Sequence, residues 1–78
     1  MKINIKEIFP DLIEILSISK ENDLFYIMNI SLKNNIFKEV TLDNMFNCIT
    51  EQIIEKKDIK FTTELKFITI ENEFIKVI

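Results

Sequence analysis

The sequence predicts an α+β fold, a two-layer helix-hairpin-helix-hairpin (αββαββ) in which a four-stranded antiparallel sheet carries two helices on one face. Two stretches place apolar residues on a 3.6-residue period, and two others alternate apolar and polar residues with a period of two. Asparagines stand between the alternating runs, where a chain with no glycine must turn. With 78 residues there is room for a single compact α+β domain over 1–78 and for one core.

Residues 4–19 read as the first helix. Ile5, Ile8, Phe9, Leu12, Ile15 and Leu16 fall on one stripe, and Asn4 with Glu7 three residues on forms a capping pair. Pro10 deletes a mid-helix hydrogen bond, so a kink is expected there, or a short turn before a helix that starts at Pro10. The alternative makes residues 12–19 an extra strand (βββαββ) on the strength of their isoleucines. Strict alternation fails, however, because Leu12 and Ile13 are both apolar.

From residue 24 the period is two. Leu24, Tyr26, Met28, Ile30 and Leu32 make an apolar face, with Phe25, Ile27, Asn29 and Ser31 on the other side. Asn34-Asn35 supplies the hairpin turn, since Asn is the non-Gly residue best able to take positive φ, and Ile36 to Val40 returns. Thr41 then reads as the N-cap of a second helix that ends at Asp58, with Leu42, Met45, Phe46, Ile49 and Ile53 as its buried stripe. Cys48 lies at the edge of that stripe as a small core-rim hydrophobe. Residues 59–67 read as a third strand with Ile59, Phe61, Leu65 and Phe67 inward. Glu71-Asn72-Glu73 is a turn, and Phe74 to Ile78 closes the sheet. A shift of 37 residues lays the first half on the second, helix on helix and hairpin on hairpin.

The residue types that are missing exclude whole classes of chemistry. The chain has no Gly, His, Arg, Ala or Trp, and Cys48 is its one cysteine. Without Gly no phosphate-cradling loop forms, and without His neither a Ser-His nor a Cys-His nucleophile pair can be built. A thiolate or imidazole metal site lacks ligands, a disulfide framework lacks a second cysteine, and no cofactor is expected. Glu21 with Asp23, and Glu71 with Glu73, flank turns without the further oxygens that a calcium loop requires. No enzymatic role is expected, because two thin layers offer no obvious cleft.

The longest charge-free run of note, Leu24 to Leu32, has nine residues against the ~20 of a spanning helix, so no membrane association is expected. Lys2, Lys6, Glu7, Asp11 and Glu14 interrupt any signal-peptide core, and a cytoplasmic location is the expectation.

Function is therefore sought on the surface. Glu7 and Glu14 lie opposite the first apolar stripe, with Asp11 towards one edge, and Glu51, Glu55 and Asp58 lie opposite the second, so each helix shows an acidic back. The bland interpretation is a solvated face. The sharper one is contact with a protein partner that has a basic surface, since Glu51 and Glu55 on a helix stand about 6 Å apart along the axis and imitate successive phosphates. The open face of the sheet gathers Phe25, Ile27, Ile68 and Ile70 into an apolar patch suited to self-association, and a homodimer is expected. Direct nucleic-acid binding is not expected, given a net charge of −3 and no Arg.

The reading is a small acidic non-enzymatic binding protein acting by surface occupancy, as a stoichiometric inhibitor, an antitoxin or a phage-type anti-defence protein would, blocking a basic, nucleic-acid-handling partner. One alternative is a homo-oligomerising accessory subunit. The other is a weak single-stranded nucleic-acid binder on the open sheet face.

Overall fold

In the computed structural model, which describes residues 1–63 and 65–78, Asn4 begins the one α-helix and Pro10 stands just beyond its end. Strand β1 (Lys2–Asn4) leads into helix α1 (Ile5–Ile8), where the Asn4 side chain accepts a 3.0 Å hydrogen bond from the Lys6 N–H. Leu12 N–H donates to the Phe9 carbonyl at 3.0 Å, so Pro10 occupies the second position of a tight turn, where its fixed φ suits. The chain continues through β2 (Leu12–Lys20), β3 (Phe25–Leu32), β4 (Ile36–Asp43), β5 (Cys48–Ile54), β6 (Ile68–Glu71) and β7 (Phe74–Val77). Short 3-10 turns occupy Lys33–Asn35 and Lys56–Asp58.

The helix-hairpin-helix-hairpin expectation is thus overturned. Among the described residues the fold is mostly β: seven strands form two antiparallel sheets, in the orders β1-β7-β6 and β2-β3-β4-β5. Among those residues there is no pair of helices and no helical face. One core receives Ile5, Ile68 and Ile75 from the first sheet and its helix, and Leu12, Ile15, Ile18, Met28, Ile30, Val40 and Leu42 from the second.

Residues 12–20 form a strand, as the alternative had it, although that alternative still carried the second helix. Its register against β3 slips twice, between Leu12 and Glu14 and again between Ile15 and Ser17. Each bulge adds one residue to the strand, leaving Ile13 and Leu16 as extras. The inward residues become Leu12, Ile15 and Ile18, three apart instead of two. That spacing imitates a helical stripe, and it explains both the helical appearance and the failed alternation.

The second expected helix, from Thr41 to Asp58, is replaced by the β4–β5 hairpin. Thr41 and Leu42 continue β4, and Asp43 organises the turn by accepting from the Met45 and Asn47 backbone N–H groups at 2.9 Å each. Phe46 has φ 65°, outside any right-handed helix. Of the supposed buried stripe, Leu42 and Phe46 are buried, but Met45, Ile49 and Ile53 are exposed. Four of the seven β5 residues are Ile or Thr, whose branched side chains favour the pleated surface.

Residues 59–63 and 65–67 are not a strand; Glu64 lies outside the described residues. Strand pairing starts at Ile68, where the apolar phase of the sequence shifts. The connection after β5 instead covers the outer face of the larger sheet. Lys56 and Phe61 line a cleft of about 350 Å³ with Leu16, Ser31 and Phe37, and the Ile18 N–H donates to Thr63 Oγ1 at 3.2 Å. The repeat of a helix plus a hairpin is accordingly absent, although Asn35 and Asn72, which it equates, share a left-handed backbone at φ 57° and 55°.

Candidate protein-binding edge

Among the described residues each sheet ends in two outer strands, and three of these four are blunted. β1 and β6 have only three and four residues, too short to template another chain. β2 is bent by its two bulges and meets Thr63 at Ile18. β5 differs: it has seven residues, no Lys and no Pro, and one register slip near its start, between Thr41/Leu42 on β4 and Thr50/Cys48 on β5. It also exposes Ile49 at 47% and Ile53 at 71%. Along it runs a row of backbone donors and acceptors that no other strand engages among the described residues.

Register decides what flanks this edge. Val40 faces Glu51 and Lys38 faces Ile53 across β4–β5, so Glu51 and Ile53 project on the same side as buried Val40. On that side a cleft of about 250 Å³ opens, lined by Ile8, Phe9, Pro10, Asp11, Leu32, Lys38 and Glu51. Lys38 forms an ion pair with Glu51, and its ammonium lies 5.8 Å from the centre of the Phe9 ring. Asp11 and Glu51 therefore share a wall system with a single lysine, and the cleft carries an excess of negative charge.

Cys48 sits at the start of the edge, half-buried. Burial pushes its thiol above the ordinary value, the Glu51 charge adds to that, and Lys38 acts in the opposite direction. A thiol in such surroundings stays protonated at neutral pH, consistent with a packing role.

The residues singled out from the sequence are redistributed. Glu51 lies on strand β5, Glu55 follows it, and Asp58 ends a 3-10 turn; no helix back unites them. Four residues on a strand span about 13 Å, so a phosphate-like 6 Å spacing of Glu51 and Glu55 is gone. Glu55 pairs instead with Lys57 at 3.3 Å. Glu7 stays on exposed α1, and Glu14 has moved to β2. Only Asp11 and Glu51 are brought to one cleft at the sheet edge.

The proposed self-association patch is dispersed as well. Phe25 and Ile27 are half-buried on the larger sheet, whereas Ile68 is 2% exposed in the core and Ile70 belongs to the smaller sheet. The four do not form one face. Ile53 and Lys38, central to the edge, were missed by the sequence reading, and the run of branched residues from Ile49 to Ile54 was the signal that could have found β5.

A larger cleft, about 650 Å³, lies between β2 and the β6–β7 hairpin and carries Glu14, Glu73 and Lys6 on its walls. It corrects the expectation that no cleft would form. Its charges are of both signs, and the outer strand it borders, β2, is the one bent by two bulges. No group of three or more His, Cys, Asp or Glu side chains that could hold a metal ion occurs among the described residues, and no helix there is long and apolar enough to cross a membrane.

Comparison with protein-family models, with curated proteins and with solved structures returned no match.

Proposed function

We propose that the protein is a stoichiometric, non-enzymatic binding protein that captures an extended segment of a partner protein on the edge of β5, and so acts by occupying its partner's surface. The observation that carries this reading is the condition of β5, a seven-residue sheet edge with Ile53 71% exposed on it, longer than β1 or β6 and with one register slip where β2 has two. An added strand gains main-chain hydrogen bonds from such an edge and specificity from alternate side chains. The acidic surface retains its expected role here, narrowed from two helix backs to the pair Asp11 and Glu51.

The test is selection from a library of random extended peptides against the wild-type protein, repeated with Ile53→Lys, because an edge lysine is a common device against strand addition. Ile53 is too exposed for its replacement to unfold the chain. Peptides selected by the wild type are expected to lose binding to the variant and to protect the Cys48–Ile54 amides from hydrogen exchange. Binders that protect other strands and tolerate Ile53→Lys overturn the reading.

A further inference from the structure

The register and charge of the β5 edge also specify what it would capture, an inference that rests on the reading above. We infer that the occupant is an antiparallel segment of another protein with the pattern apolar-x-basic, its basic side chain opposite Glu51 and its apolar side chain opposite Ile53.

Side chains directly opposite one another in an antiparallel pair project to the same face, with Cβ atoms about 4.5–5.5 Å apart. Because Glu51 and Ile53 face the cleft side of the sheet, so do the two residues added opposite them. In an antiparallel strand the residue opposite Ile53 precedes the residue opposite Glu51 by two. The first meets a 71% exposed isoleucine, which only an apolar neighbour removes from water. The second enters a cleft where Asp11 and Glu51 outnumber Lys38. A Lys or Arg there meets the Glu51 carboxylate in a cleft of net negative charge, and an acidic side chain is repelled.

The same geometry disfavours a second copy as the occupant. A two-fold axis perpendicular to a shared sheet keeps each face on its own side, so a residue at the axis must oppose itself. The arrangement that sets Ile49 against Ile53, the most apolar one available, sets Glu51 against Glu51, and like charges directly opposite destabilise a strand pair. Moving the axis to Gln52 sets Glu51 against Ile53 and leaves the isoleucines without each other.

Two fluorescent nine-residue peptides test the inference, alternating in pattern and identical except for Lys or Glu at the position meant to face Glu51. They are titrated by anisotropy into the wild-type protein, Glu51→Gln and Glu51→Lys, with amide NMR spectra reporting both the site and the integrity of the fold. The Lys peptide is expected to shift the β5 amides and to bind about fivefold more tightly than the Glu peptide, from the modest worth of one partly exposed ion pair. Glu51→Gln should shrink that preference, and Glu51→Lys should reverse it. Equal binding of both peptides at β5 overturns the charge pattern but leaves the edge as the binding site. Failure of either peptide to shift β5 amides overturns both. Concentration-dependent shifts of those amides without peptide identify a second copy as the occupant and overturn the inference.

Discussion

Asn29 Nδ2 donates a 3.1 Å hydrogen bond to Ser17 Oγ across the β2–β3 pair, with both side chains buried on the sheet face that points away from the core. Asn29 Oδ1 has no hydrogen-bond partner among the described residues. Ser17 is thus the partner on which the buried Asn29 amide depends among the described residues.

Ser17→Ala leaves the Asn29 amide without its acceptor and is expected to destabilise the fold by about 1–3 kcal/mol. Adding Asn29→Leu, of similar size, removes the stranded polar group and should recover most of that loss. Urea unfolding at constant m-value measures it, and a double variant as unstable as the sum of the two single changes would show that the pair is not coupled.

Phe46 combines a left-handed backbone, φ 65°, with a buried ring stacked on Tyr26 at 4.8 Å and 20°. An L-residue in that conformation loses about 1–2 kcal/mol, whereas truncating a buried Phe costs about 3–5 kcal/mol, so packing wins and the strain is tolerated. Phe46→Gly and Phe46→Ala should both be destabilised, with the Gly variant the more stable by about 1 kcal/mol because it alone relieves the backbone. Thermal unfolding of the two variants decides this, and the ordinary order of Ala above Gly would refute a strained Phe46.

The Asp43 carboxyl is held below its ordinary value of 3.8, first by the Asn47 backbone N–H and then by the Asn47 side-chain amide; desolvation opposes them, and the Met45 N–H adds a smaller lowering. A depressed folded-state pKa means that the carboxylate's contribution is complete above the unfolded value and is lost as the pH falls through the folded one. Asp43→Asn keeps an acceptor in the turn but removes the titration. Wild type should be the more stable at pH 7, and the gap should narrow as the pH drops below about 4. A gap in urea midpoint that stays constant from pH 7 to pH 2 would falsify the assignment.

Several parts of the fold were legible because they are local. Asn34, Asn35 and Asn72 all take positive φ, as a chain without glycine requires. Leu24 to Leu32 alternates as β3 does, with Tyr26, Met28, Ile30 and Leu32 buried, and only Leu24, ahead of the strand, exposed. Asn4 caps a helix, and Pro10 lies beyond its end. The helix expected over 4–19 stops at Ile8 and the one expected over 41–58 is absent, because two bulges space the inward residues of β2 by three, and because Leu42 and Phe46 are both buried while lying on either side of a turn held by Asp43.

For the binding edge, the acidic character of Asp11 and Glu51 was visible in the sequence, but their meeting was not. They stand 40 positions apart and reach one cleft only because β5 pairs with β4, β4 with β3, and β3 with β2.

By itself the sequence determined the turns at Asn34-Asn35 and Asn72 and the period of β3, since these depend on backbone preferences and near neighbours. The tertiary structure alone decided that Leu12–Lys20 and Cys48–Ile54 are strands, which of their faces is buried, and that β5 ends a sheet. The physical reason is that a strand's hydrogen bonds and side-chain neighbours come from distant parts of the chain. An isoleucine such as Ile53 cannot show, from its near neighbours, whether a sheet continues beyond it.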